Sequence, residues 1–171
     1  YLGVRDYRRS ERGESLRPDE LRAVRQQALE LLTRGVHDPD EEVRRSVVEG
    51  LGLARDPRQL QLVLPLVGDP SAAVAALAAI ALGLLGDGAA AAPLLAAARD
   101  NPAANVRMAA AAAAWQLGKG QGRELLLHAL DGSDAGAQQR AAFLLAEQGE
   151  PRAQALLRQL EADASPEAVA Q

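Results

Sequence analysis

The sequence predicts an all-α fold, a right-handed α-α superhelix of helix-turn-helix repeats about 31 residues long. Three observations carry this. Asp38, Asp69, Asp100 and Asp131 recur at a constant step of 31 residues. After each comes a short turn and a run with one apolar stripe. Alanine and leucine fill whole stretches such as 89–98 and 109–114, while aromatics amount to one Trp, one Phe and two Tyr. Alanine is the best helix former and strands favour the β-branched and aromatic residues scarce here.

Residues 1–17 hold Arg5, Arg8, Arg9, Arg12 and Arg17 among acids and show no repeat register, so they are expected to form a charged arm or linker. Residues 18–37 predict a capping helix, with Pro18 at its start, Asp19 and Glu20 in its first turn, and Arg34 and Gly35 at its end. Repeats follow over 38–68, 69–99, 100–130 and 131–161. In each, a first helix opens on the column Val43, Val74, Val106 and Ala137 and continues to Leu51, Leu82, Ala114 and Leu145, one extra residue entering the turn of the last two units. The stripe Val43, Val47, Leu51 has the spacing of an amphipathic helix. Second turns at 55–57, 86–88, 118–120 and 149–151 lead into second helices whose buried column is Val63, Leu94, Leu126 and Leu157. Neither helix hides its stripe alone, and stacking unit on unit buries a continuous core. Residues 162–171 read as the start of a further repeat. The chain begins at Tyr1 rather than Met, which is expected of a trimmed form, a mature form or a fragment.

The first-helix sequences Val-Arg-Arg-Ser-Val-Val-Glu-Gly-Leu-Gly (43–52) and Val-Ala-Ala-Leu-Ala-Ala-Ile-Ala-Leu-Gly (74–83) lie after Asp-Pro at 38–39 and 69–70. This pattern resembles the short bacterial HEAT-like repeats named after the phycobilisome lyase family, over about residues 38–161. The resemblance implies an armadillo-like solenoid whose second helices line a concave binding surface. It also implies two further roles, a chromophore-lyase-like subunit or a ligand-binding accessory protein. The fold alone selects none of these functions.

Composition narrows the classes. Cysteine is absent, which removes disulfides, thiolate catalysis and Cys-based metal sites but leaves the compartment open between the cytoplasm, the first expectation, and a mature exported form. The net charge is −4, with 12 basic and 12 acidic residues in 1–60 against 7 and 11 in 61–171. No basic field suits a phosphate backbone. The longest apolar run, 72–85, is too short to span a bilayer.

No residue pattern defines a catalytic, cofactor or metal site. The four spaced aspartates are expected at helix N-caps, with Pro39 and Pro70 in the first turns. Helices about 8–10 Å apart keep one Asp per unit from converging on a cation whose ligands lie about 2.3–2.6 Å away. The glycines of 118–122 belong to a turn, since a phosphate loop needs a strand before it and G-K-[S/T] at its end. Glu124 and His128 share a helix face at i, i+4, but His37 stands three repeats off and no nucleophile accompanies them.

What remains is binding. Second-helix register aligns Arg34, Pro65, Ala96, His128 and Gln159, with Glu30, Gln61, Ala92, Glu124 and Ala155 beside them. Trp115 stands in a column otherwise filled by Gly52, Gly83 and Ala146, so the indole either packs locally or serves as an exposed anchor. The expected function is a non-catalytic scaffold recognising a protein partner through Arg34, Gln61, Pro65, Trp115, Glu124, His128 and Gln159. It has no cofactor, and the partner's identity and the oligomeric state stay open. A structural spacer within a larger protein is the remaining alternative.

Overall fold

The computed structural model describes residues 17–163. Among these the regular structure is helical, with no strand: α1 (Pro18–Gly35), α2 (Glu41–Ala54), α3 (Leu60–Val63), α4 (Ala72–Leu85), α5 (Ala91–Asp100), α6 (Ala104–Gln116), α7 (Gly120–Leu130), α8 (Ala135–Glu147) and α9 (Pro151–Asp163). The first helices pack in sequence, α2 along α4 and α4 along α6, while α5 and α7 each pack against the first helix of the following unit. The result is an α-solenoid. The arm expected over 1–17 lies, apart from Arg17, outside the described residues, as does the tail from 164 onward.

The core follows the columns. Leu51, Leu82, Ala114 and Leu145 are 2% exposed or less, and Val63, Leu94 and Leu126 are fully buried. Each such leucine stabilises the fold by about 1.5–3 kcal/mol. Every second turn bends through one left-handed residue, Arg55, Gly86, Gly118 and Gly149, with φ of 49, 73, 79 and 85°. Glycine suits that conformation and ends a helix cheaply, so Arg55 is the strained member of its column.

Four sequence expectations require correction. The N-caps are Asp40, Ser71, Ala103 and Asp134, not the aspartates spaced by 31. Asp38 and Asp69 stand two residues earlier, where their carboxylates accept the backbone N–H of Asp40 and Ser71, and Asn101 does the same for Ala103. Asp100 ends α5 and Asp131 caps the C-terminus of α7. The true register therefore runs 38, 69, 101, 132, and the constant step of 31 was produced by an acidic residue standing one place early in the last two units. Pro39 and Pro70 precede the caps rather than following them.

The second helix of the first unit is also not continuous. Pro65 has no N–H to donate and its ring collides with the preceding turn, so α3 is one turn long between 3₁₀ segments Pro57–Gln59 and Leu64–Gly68. Finally, Val43 is 39% exposed although Val74 and Val106 in its column are buried. The buried stripe of α2 is Arg44, Val48, Leu51 and Gly52. Of α1, only its C-terminal turn reaches the core, through Leu32, Gly35 and Val36, leaving Leu21, Leu29 and Leu31 exposed and the start of α2 uncovered.

Candidate protein-binding surface

Two columns cross the second helices without entering the core. Glu30, Gln61, Ala92, Glu124 and Ala155 are all exposed, as are Arg34, Pro65, Ala96 and His128. Gln159 lies on α9 with its side chain outside the described residues. Arg34 projects from the last turn of α1, where a cation faces the negative end of the helix dipole. Pro65 sits in the 3₁₀ segment it creates, and Glu124 and His128 stand one turn apart on α7. Between α5 and α7 lies an open hollow of about 370 Å³ bordered by Arg99, Gln121, Glu124, Leu125 and His128.

Trp115 stands outside these columns, on the first helix α6. It is half-buried at the end of α6 and packs against the core. Its register shows why it matters. A Cβ on Gly52 would stand 3.0 Å from Ala81 Cβ, and one on Gly83 3.1 Å from Ala113 Cβ, so this column looks across to the next first helix. At the α6–α8 junction the equivalent residues are Trp115 and Leu144, two large side chains where the earlier junctions hold Gly and Ala. Correspondingly, α8 lies less closely along α6 than α6 along α4 or α4 along α2.

A second feature borders the same helices. An apolar groove of about 480 Å³ runs over α4, α6, α8 and α9, walled by Ile80, Met108, Phe143, Leu144 and Leu157, with Arg140 also lining it. Ile80 is 44% and Phe143 58% exposed. Sequence reasoning missed this site because it followed the second helices. The available signal was the column Glu49, Ile80, Ala112, Phe143 on the outer side of the first helices, where a large apolar residue has no partner within the stack.

Among the described residues, no cluster of three or more His, Cys, Asp or Glu is placed to hold a metal ion. No described helix is long and apolar enough to cross a membrane. The perturbed ionisable groups serve structure. Asp56, held by the Arg58 guanidinium and its backbone N–H, is lowered to about 2. Asp69 is partly raised by burial, but its bonds from Arg44 and from the Ser71 N–H bring it below the ordinary carboxylate value.

Stacked helical pairs with a continuous core define an α-solenoid, a class whose curvature creates extended surfaces. The family model described as HEAT repeats matches residues 27–115, just over half of the chain, and the protein belongs to that family. No match to a curated protein was found.

Proposed function

We propose that the protein is a non-catalytic scaffold that binds a protein partner along the face of its second helices. The observation that carries this reading is the uniform exposure of both second-helix columns from α1 to α7. Arg34, Gln61, Pro65, Glu124 and His128 take no part in the core, and the hollow beside Glu124 and His128 offers a recess for a partner side chain. HEAT repeats generally act as interaction scaffolds, and the resemblance to them implies that the second helices line the inner wall. Gln159 extends the same column by register. Trp115 contributes by setting helix spacing rather than by touching the partner.

The test is capture of partners on the immobilised chain, with Arg34→Glu/His128→Glu as the comparison and circular dichroism to show equal folding. Each captured protein is then purified and its affinity for both forms measured. A partner whose affinity falls at least about tenfold in the double variant supports the scaffold and its face. A partner bound equally by both forms refutes the face.

The resemblance to phycobilisome-lyase-type repeats supplies a second reading, a chromophore-lyase-like or ligand-binding accessory role. Bilin or haem titrated into the protein with no change in absorption would dismiss it. A spacer role predicts no specific capture at all.

A further inference from the structure

Beyond the second-helix face, the opposite side of the stack carries an apolar groove and an unpartnered helix stripe that complement each other. On α8, Arg140, Phe143 and Glu147 are spaced three and four residues apart, which puts them on one stripe of the helix. All three are exposed, and among the described residues neither Arg140 nor Glu147 has an ionic partner. The phenyl group of Phe143, more than half exposed, borders a groove whose other walls are Ile80, Met108, Leu144 and Leu157. A stripe reading cation, aromatic, anion is its own complement when reversed.

We propose that the chain forms a twofold homodimer in which α8 packs antiparallel on α8 of a second copy, each Phe143 entering the other copy's groove. A twofold axis between positions 143 and 144 lies midway between 140 and 147. It therefore sets Arg140 of each copy opposite Glu147 of the other, giving two equivalent ion pairs around a central aromatic contact. Ile80 and Met108 then cover the incoming ring. Such an isologous contact closes on itself, so association stops at two. Charge and apolar surface match together only in this antiparallel register, since a parallel pairing sets Arg140 against Arg140.

Sedimentation equilibrium of the full 171-residue chain tests this. The wild type should pass with rising concentration from 18.0 kDa to twice that mass and no further. Phe143→Asp, at an exposed position, should keep the helical signal and melting temperature while weakening dimerisation about a hundredfold or more. Arg140→Glu and Glu147→Arg should each weaken it about tenfold, and the double reversal Arg140→Glu/Glu147→Arg should restore it, because both pairs re-form with exchanged sign. Arg34→Glu/His128→Glu should dimerise as the wild type does, which separates this surface from the second-helix face. A chain monomeric throughout, a dimer indifferent to Phe143→Asp, or single reversals that the double does not rescue would each overturn the proposal. So would a monomer that loses a captured partner on Phe143→Asp, which would give the groove to another protein's helix.

Discussion

The guanidinium of Arg44 grips both carboxylate oxygens of Asp69 across the junction between the first two units, Nε donating to Oδ2 at 2.8 Å and Nη2 to Oδ1 at 2.9 Å. Its remaining donor, Nη1, reaches back to the carbonyls of Asp38 and Pro39 at 2.8 and 3.0 Å. One side chain thus fastens the turn before α2 to the turn before α4. The Asp69 side chain is 3% exposed, so removing it strands a cation in a site that water barely reaches. Asp69→Ala should cost about 2–4 kcal/mol, measured by urea unfolding at neutral pH.

Asp69, together with Asp56 on Arg58, sets an acid limit. Asp69 is lowered in the folded chain, and Asp56 is lowered to about 2. A depressed carboxylate stabilises the fold fully above its unfolded value of about 3.9 and ceases to do so as pH falls through its folded value. Stability should therefore hold from neutrality to about pH 5 and decline between about pH 4 and 2. Melting of the wild type and Asp69→Asn across that window gives the check: the gap between them should narrow as the pH falls. A gap that stays constant would show that the ionised carboxylate adds nothing beyond its hydrogen bonds.

Two glycines of α2, two residues apart and so on nearly opposite faces of the helix, should respond oppositely to alanine. A Cβ at Gly50 meets nothing within 4 Å, whereas one at Gly52 stands 3.0 Å from Ala81 Cβ and 3.1 Å from its Cα. Gly50→Ala should stabilise by about 0.5–1 kcal/mol through helix propensity alone. Gly52→Ala should lose about 1–3 kcal/mol, because α2 and α4 must move apart to admit the methyl group. Thermal unfolding of the two variants side by side distinguishes a packing role from a purely conformational one.

At the α6–α8 junction the large pair Trp115 and Leu144 replaces that small pair. Trp115→Ala alone should cost about 2–4 kcal/mol by leaving a cavity. Trp115→Gly with Leu144→Ala copies the Gly83–Ala113 junction. Its cost should fall short of the two single changes added together by about 0.5–2 kcal/mol, as α8 closes on α6. A crystal structure of the double variant should show the groove beside Phe143 diminished; an unchanged groove would mean that the indole does not hold the helices apart.

The contrast between these junctions shows what the sequence makes legible. The buried columns through Leu82, Leu94 and Leu126 could be read directly, because helical periodicity and repeat spacing both report which side chains must leave water. The caps could not. Asp100 and Asp131 kept a perfect spacing while the structural role had passed to Asn101, and only the hydrogen bond to Ala103 reveals it. Helix continuity failed at Pro65, where a local steric fact overrides the unit pattern. The exposure of Val43 depends on what lies before α2, and the groove beside Phe143 is walled by residues of four helices, a juxtaposition that no single helix encodes.

Arg107 repeats the geometry of Arg44 one unit pair later but lacks its acid. Its Nη1 donates to the carbonyls of Asn101 and Pro102, both at 2.8 Å, as that of Arg44 does to Asp38 and Pro39. The position corresponding to Asp69 is Gly132, which borders a hollow of about 420 Å³ shared with Arg107. Gly132 has no left-handed φ to defend, and a Cβ there would stand 3.3 Å from the Ala129 carbonyl oxygen, a contact relieved by a shift of a few tenths of an ångström. Gly132→Asp should therefore rebuild the rung between the third and fourth units and raise stability by about 0.5–1 kcal/mol. A double-mutant cycle with Arg107→Ala isolates the cause. If the gain persists without Arg107, it comes from stiffening the unfolded chain at a glycine; if it disappears, the carboxylate has found the guanidinium, and the Arg44–Asp69 rung is a transferable way of fastening one repeat to the next.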